Sequence, residues 1–151
     1  MLESFFIVLA LISVLCAWVL YTGGRYGMAA SNPWWAVIGL MAVLLNLHVI
    51  GLLLPSFAIL PWILIAVAIA TSLLAALREI SFWNAGLLKR PGNRELFMEI
   101  ILIVVSIYAA INVDEQLPDV DRGPIIAAII TPLLMVRWAI TRITAQRSDR
   151  Y

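Results

Sequence analysis

Five long runs of apolar residues divide the chain, and short segments containing polar residues, proline or glycine separate them. A helix that crosses a bilayer needs about 20 mostly apolar residues, and each run is close to that length. The runs are 4–21, 34–54, 61–77, 96–113 and 124–140. The pattern therefore predicts an all-α fold, a polytopic transmembrane helical bundle of about five helices that forms a single domain over residues 1–151.

The separating segments carry residues that end or begin helices. Pro55 and Pro61 bracket a short apolar turn, because proline lacks the N–H that a continuing helix needs. Asn93 is suited to cap the fourth helix, and Pro124 is suited to open the fifth. The basic tail after Ile140 is expected to extend the fifth helix towards an anionic membrane surface.

The composition agrees with a chain whose main solvent is lipid. Hydrophobic residues make up 64% of the chain and charged residues 13%, with a mean hydropathy of +1.02. A soluble domain has roughly 45–50% apolar and about 25% charged residues, and it must cover a large surface with polar groups. The net charge of +1 gives no basic field for nucleic acid, so no nucleic-acid partner is expected.

The basic residues predict an orientation. Five crossings place alternate loops on the same side of the membrane, and one side then holds only Arg122. The other side holds Arg25, Arg78, Lys89, Arg90, Arg94, Arg137, Arg142, Arg147 and Arg150. The positive-inside rule then places the N-terminus outside and the C-terminus in the cytoplasm. The expected location is a bacterial, or phage-encoded, cytoplasmic membrane.

An alternative for residues 34–77 is a re-entrant hairpin that enters and leaves on the cytoplasmic side. The basic residues would segregate in the same way, so they do not distinguish the two arrangements. Two full spans are preferred, because each arm is close to spanning length.

Charged residues near one end of the predicted bundle form the main candidate site. Glu99 and Arg137 each lie about one turn from the cytoplasmic end of neighbouring antiparallel helices, so they should share a depth. Arg78 and Glu79, which are expected to end the third helix, and Glu95 should lie at the same level. The set is interpreted either as a structural ion-pair belt or as an ion or proton relay or docking patch.

Other polar residues within the spans are interpreted as contacts between helices. Asn46 and His48 are two positions apart and point to different helix faces, so they do not form one site. Together with Asn112, they are expected to make helix–helix polar contacts. Pro132 is expected to kink the fifth helix and to free the carbonyl group of Ala128.

The sequence contains no recognisable catalytic, metal or cofactor motif. Cys16 and His48 are the only cysteine and histidine, which excludes a structural zinc site and a bis-histidine haem. The chain also lacks a phosphate-binding glycine loop, HExxH, GxSxG and CxxC. No cofactor, no metal and no enzyme activity are therefore expected.

The preferred hypothesis is a non-enzymatic membrane protein that acts through helix–helix association. It would serve as an accessory subunit of a membrane complex or as a self-assembling, holin-like protein. The alternative is a small oligomeric channel or transporter that uses Glu99, Arg137 and His48. An enzyme with Glu99 or His48 as a general base is disfavoured, because no second catalytic group matches their depth and face. The expected partners are the lipid bilayer and either another membrane protein or a second copy of the chain.

Overall fold

The structure is a computed structural model, and it describes residues 2–23, 31–52, 59–86, 92–114 and 121–148; the side chains of residues 2, 95, 114 and 141–148 are not described. These ranges form five helices and contain no strand, which confirms the all-α prediction. The helices are α1 (Leu2–Thr22), α2 (Trp34–Val49), α3 (Leu60–Asn84), α4 (Asn93–Asp114) and α5 (Arg122–Ser148). All except α2 are long and apolar enough to cross a membrane.

Helix α2 ends at Val49, several residues before the end of its apolar run. The cause is Gly51, which takes a positive φ of 79° that residues with a side chain rarely adopt. The N–H of Gly51 donates to the His48 carbonyl at 3.1 Å, and the N–H of Leu52 donates to the Leu47 carbonyl at 3.0 Å. This pair of bonds is the Schellman arrangement that closes a helix. The helix therefore has 16 residues.

Helix α3 is longer than its apolar run and continues to Asn84. The expectation that Arg78 and Glu79 end this helix is therefore wrong. Neither residue breaks a helix, and Glu79 points into the protein, where it is 2% exposed. The helix closes where the N–H of Gly86 donates to the Trp83 carbonyl at 3.1 Å.

Helix α5 runs through Pro132 and into the basic tail as far as Ser148. The prediction that the tail extends the fifth helix is confirmed for its described part. The loop at 87–91, which contains Lys89 and Arg90, lies outside the described residues, as do the turn at 53–58 and residues 149–151.

Consecutive helices run in opposite directions. The backbone N–H of Asn32, just before α2, donates to the carbonyl of Tyr21 at the end of α1. Asn32 also contacts Glu79 near the end of α3, and Glu99 near the start of α4 contacts Arg137 in α5. We name the end of the bundle that holds Asn32, Glu79, Glu99 and Arg137 the Glu79 end.

Helices α3 and α5 run in the same direction. Trp62 at the start of α3 packs on Gly123 at the start of α5, where a Cβ atom would lie 2.7 Å from the Trp62 ring. Helices α1 and α2 also approach closely, because a Cβ atom on Gly39 would lie 2.6 Å from the Ala17 Cβ. Small residues permit such approaches between membrane helices.

The apolar core has two parts along the bundle axis. The first, towards the start of α1, contains Phe6, Leu45 and Ile129, and the second, towards the Glu79 end, contains Leu20 and Met135. Helices α1, α2 and α5 all pack against one another, α3 packs mainly on α2, and α4 packs chiefly on α5. Helix α4 therefore lies at the edge of the bundle.

Candidate functional site

Glu99 and Arg137 form an ion pair between α4 and α5. Nη1 of Arg137 donates to Oε1 of Glu99 at 2.8 Å, and the two side chains are 10% (Arg137) and 24% (Glu99) exposed. A charge-assisted bond with so little access to solvent is stronger than a bond between neutral groups. The pair therefore ties the peripheral helix α4 to the bundle. Nη2 of Arg137 is buried and has no hydrogen-bond partner.

Glu79 lies in a separate polar centre between α3 and the start of α2. Its Oε1 accepts a hydrogen bond from Nδ2 of Asn32 at 3.3 Å and from Nε1 of Trp35 at 3.2 Å. The same Asn32 nitrogen donates to the Ala75 carbonyl at 3.1 Å. Both of these donors are neutral. Oδ1 of Asn32 is buried and accepts no hydrogen bond.

Arg78 and Glu79 are consecutive residues, but their side chains make different contacts. Nε of Arg78 donates to the Ser31 carbonyl at 3.0 Å, and its guanidinium lies 5.3 Å from the centre of the Phe82 ring. Arg78 therefore binds the segment that leads into α2. The side chain of Arg78 is exposed, so it lies on the surface of α3.

The candidate cluster from the sequence is thus divided among three sets of contacts. The structure brings Glu99 and Arg137 together, and it gives Glu79 and Arg78 other partners. The side chain of Glu95 lies outside the described residues. The described members share the Glu79 end of the bundle, but they do not form one continuous belt.

Three tryptophans connect the two glutamate sites. Trp138 of α5 stacks on Trp83 of α3, with ring centres 6.1 Å apart and an interplanar angle of 11°. It also lies 6.3 Å from Trp35 of α2, whose indole binds Glu79. The Arg137 guanidinium lies 5.9 Å from the Trp138 ring centre. We name Trp35, Trp83 and Trp138 the tryptophan cluster.

Sequence reasoning missed the tryptophan cluster and the pairing of Glu79 with Asn32. A signal was present, because each tryptophan lies near the same predicted end of an apolar run, where belts of tryptophan occur. It did not show that the rings meet. The contacts of Glu79 join residues that are 44 and 47 positions apart, which no local pattern connects.

A small cavity lies beside Glu79 between α2, α3 and α5. Its volume is about 120 Å³. Its walls are formed by Trp35, Ile38, Ser72, Ala76, Glu79, Thr131, Leu134, Met135 and Trp138. A carboxyl group, two hydroxyl groups and two indole rings therefore surround one space.

Asn46 binds the carbonyl group that Pro132 leaves without its helical donor. Nδ2 of the buried Asn46 side chain donates to the Ala128 carbonyl at 3.1 Å and to the Ala42 carbonyl at 2.7 Å. Proline at position 132 cannot donate to the Ala128 carbonyl, so the amide of Asn46 replaces that bond. Asn46 and Pro132 were each identified from the sequence, but nothing in the sequence predicted that Asn46 binds the Ala128 carbonyl.

The other two candidate polar residues make fewer contacts between helices. His48 is partly buried, and its Nδ1 has no hydrogen-bond partner. Asn112 is exposed, and its Nδ2 donates to the Tyr108 carbonyl in its own helix at 3.2 Å. Asn112 was expected to contact another helix, but this hydrogen bond lies within α4.

An apolar groove of about 460 Å³ lies on the outer side of α1 and α2. Three small residues, Ala17, Ala36 and Gly39, contribute to its lining. The other lining residues are Val14, Trp18, Tyr21, Leu40 and Val43. No residue of α5 lines it, so the groove opens away from the centre of the bundle.

In the part of the chain that the structure describes, no three His, Cys, Asp or Glu side chains are grouped so that they could hold a metal ion. No family model, curated protein or solved structure matches the chain. Within the described residues, the two glutamate sites, the cavity and the groove are candidate functional features.

Proposed function

We propose that the chain is a non-enzymatic integral membrane protein that acts through helix–helix association, and that its partner is a second copy of itself. The observation that carries this proposal is the position of α4. This helix packs chiefly on α5, so most of its surface is available to a neighbour.

The uncovered side of α4 carries a regular ridge. Ile100, Val104, Ile107 and Ile111 lie on successive turns and are 41–60% exposed. All four are β-branched, so their side chains have few conformations to lose when they pack against another helix. Such a ridge is suited to a groove lined by small residues.

The groove between α1 and α2 is lined in part by small residues, and it lies on a different side of the bundle from the ridge. Helix α4 lies beyond α5, whereas the groove opens away from α5. Helix α4 runs in the same direction as α2, so the ridge of a second copy in the same membrane orientation would lie antiparallel to α1. Contact between two different surfaces is heterologous, and it builds rings or open chains.

Cross-linking tests this arrangement. In a Cys16→Ser background, Leu40→Cys in the groove combined with Val104→Cys on the ridge should give a ladder of dimers, trimers and larger products on mild oxidation in membranes. The matched control replaces Leu40→Cys by Leu73→Cys, because Leu73 is 64% exposed on α3, outside the groove. That control should give no ladder.

Three other results would reject the ridge-in-groove contact. Dimers alone from Val104→Cys would show that α4 meets α4. A monomer by native mass measurement would exclude self-association. Recovery of the intact protein only with a fixed set of larger membrane proteins would favour the accessory-subunit reading.

We further propose five full spans, with the N-terminus outside and the Glu79 end at the cytoplasmic side. The alternation of helix directions and the segregation of the basic residues support this topology. In the Cys16→Ser background, an impermeant thiol reagent added outside should label Ser4→Cys and Ser56→Cys, but not Ser148→Cys. Labelling of Ser4→Cys without Ser56→Cys would favour the re-entrant hairpin.

A further inference from the structure

We propose that Arg78 is the centre of a binding site for an anionic phospholipid, on the outer face of α3 at the Glu79 end of the bundle. The phosphate group binds the guanidinium of Arg78, and an acyl chain lies along the apolar residues that precede it on the same face. This face belongs to neither the ridge on α4 nor the groove between α1 and α2, so the inference does not depend on self-association.

The guanidinium of Arg78 is held in place and still has donors to offer. Its Nε donates to the Ser31 carbonyl at 3.0 Å, and its central carbon lies 5.3 Å from the centre of the Phe82 ring. Within the described residues, its two terminal nitrogens have no hydrogen-bond partner, and the side chain is exposed. These nitrogens form the fork that matches a phosphate group, and a guanidinium already held loses little further freedom when it binds one.

The positive charge of Arg78 favours an anionic ligand. Glu79 follows Arg78 in the sequence, but consecutive residues of a helix do not face each other, and Glu79 is 2% exposed. The two groups that hold the guanidinium, a carbonyl group and a phenyl ring, are both neutral. A phospholipid with a net negative charge is therefore attracted to Arg78, whereas a zwitterionic lipid brings an ammonium group that is repelled.

Arg78 lies at the depth where a bilayer has its phosphate groups. Helix α3 is long and apolar enough to cross a membrane, and it begins at Leu60. A rise of about 1.5 Å per residue places Arg78 about 27 Å from Leu60 along the helix axis, and the hydrocarbon layer is about 30 Å thick. The long side chain can extend from this position into the headgroup layer.

The residues around Arg78 match the parts of a lipid in order. Leu74, Leu77 and Ser81 are separated from one another and from Arg78 by spacings that place all four on one face of α3. Leu74 and Leu77 are 39% and 62% exposed and precede Arg78 on the hydrocarbon side, whereas the exposed Ser81 lies beyond it. Apolar surface, cation and hydroxyl group thus follow the order of acyl chain, phosphate group and glycerol headgroup in phosphatidylglycerol.

Native mass spectrometry of the purified full chain in detergent tests the site. Dioleoyl phosphatidylglycerol should be retained more tightly than dioleoyl phosphatidylcholine, which has the same acyl chains. Arg78→Gln should weaken retention of phosphatidylglycerol about fivefold, which is the contribution of one basic residue near an anionic surface. Arg78→Lys keeps the charge but lacks the fork, so it should restore only part of the loss.

The matched control is Arg94→Gln, which removes an exposed arginine at the same end of the bundle but on α4, and it should leave retention unchanged. Equal losses for the two glutamine variants would show general attraction to a basic surface and would overturn the proposal. Equal retention of phosphatidylcholine would also overturn it. Circular dichroism verifies that each variant keeps its helical content.

A competition experiment distinguishes a lipid from a free phosphate ester. Glycerol 3-phosphate in millimolar excess should not displace phosphatidylglycerol, because it lacks the acyl chains that contact Leu74 and Leu77. Displacement would show a site for soluble phosphate esters, in contradiction to the lipid site proposed.

Discussion

Two glutamates at the same end of the bundle are held in different ways. Glu99 has a cation as its partner, whereas Oε1 of Glu79 is bound by the neutral donors Asn32 and Trp35. A carboxyl group paired with arginine has its charge compensated within the protein. The first site joins α4 to α5, and the second joins α3 to the start of α2, so the two carboxyl groups hold different pairs of helices together.

Asn46 gives a third case at a different depth, where a neutral amide binds a neutral carbonyl. The three contacts therefore form a series: carboxyl group with cation, carboxyl group with neutral donors, and amide with carbonyl. Removal of one partner should cost progressively less along this series, because the desolvation penalty of the group left behind decreases.

The largest effect is expected for Arg137→Leu. This change leaves Glu99 without its cation in a poorly solvated site, and loss of one partner from a buried pair costs about 3–5 kcal/mol. The measurement is the free energy of unfolding in mixed micelles. The double variant Arg137→Leu with Glu99→Leu should regain most of the loss, since no uncompensated charge remains.

A small effect of Arg137→Leu, below about 1 kcal/mol, would show that the pair is effectively exposed to lipid headgroups or water. The difference between Glu99 and Glu79 would then lose its energetic basis.

An intermediate effect is expected for Glu79→Leu. Asn32 keeps its bond to the Ala75 carbonyl, but the indole N–H of Trp35 loses its acceptor. An unsatisfied buried donor costs about 1–3 kcal/mol of stability. Glu79→Gln retains an oxygen at this position and should be much less harmful, as the same unfolding measurement would show. Equal losses for the two variants would mean that charge, not hydrogen bonding, holds Trp35 in place.

The smallest effect is expected for Asn46→Ala. Hydrogen bonds between membrane helices contribute about 0.6 kcal/mol on average and at most about 1.7. The loss should shrink in a Pro132→Ala background, because the N–H of residue 132 can then donate to the Ala128 carbonyl. A double-mutant cycle measures this coupling. Strict additivity would show that Asn46 does not compensate for the proline.

The sequence predicted the helices well, because lipid requires long apolar runs whose backbone groups bond to one another. It also placed Glu99 and Arg137 at one depth, since a short connection makes α4 and α5 antiparallel neighbours. Their contact was therefore predictable, because it joins two helices that follow one another in the sequence. The ends of α2 and α3 were less predictable, because each helix closes at a glycine with positive φ, Gly51 and Gly86.

The site around Glu79 was beyond local patterns. Asn32 lies in a connection between helices and Trp35 in the first turn of α2, and neither shows from its neighbours that it faces α3. Likewise, the order of the helices along the chain does not show which helices pack against one another in the bundle. Helix α4 follows α3 in sequence but packs chiefly on α5, which decides which apolar faces remain uncovered.

In the proposed membrane topology, the early stop of α2 has a consequence for the surrounding bilayer. Sixteen residues give a helix of about 24 Å, whereas the hydrocarbon layer is about 30 Å thick. Lipids beside a short hydrophobic segment accommodate it through local thinning, at a cost that rises with each ångström of mismatch. Where no second copy covers the groove, this face of the bundle should therefore prefer short-chain lipids, and bilayer thickness becomes a variable that acts on one side of the protein.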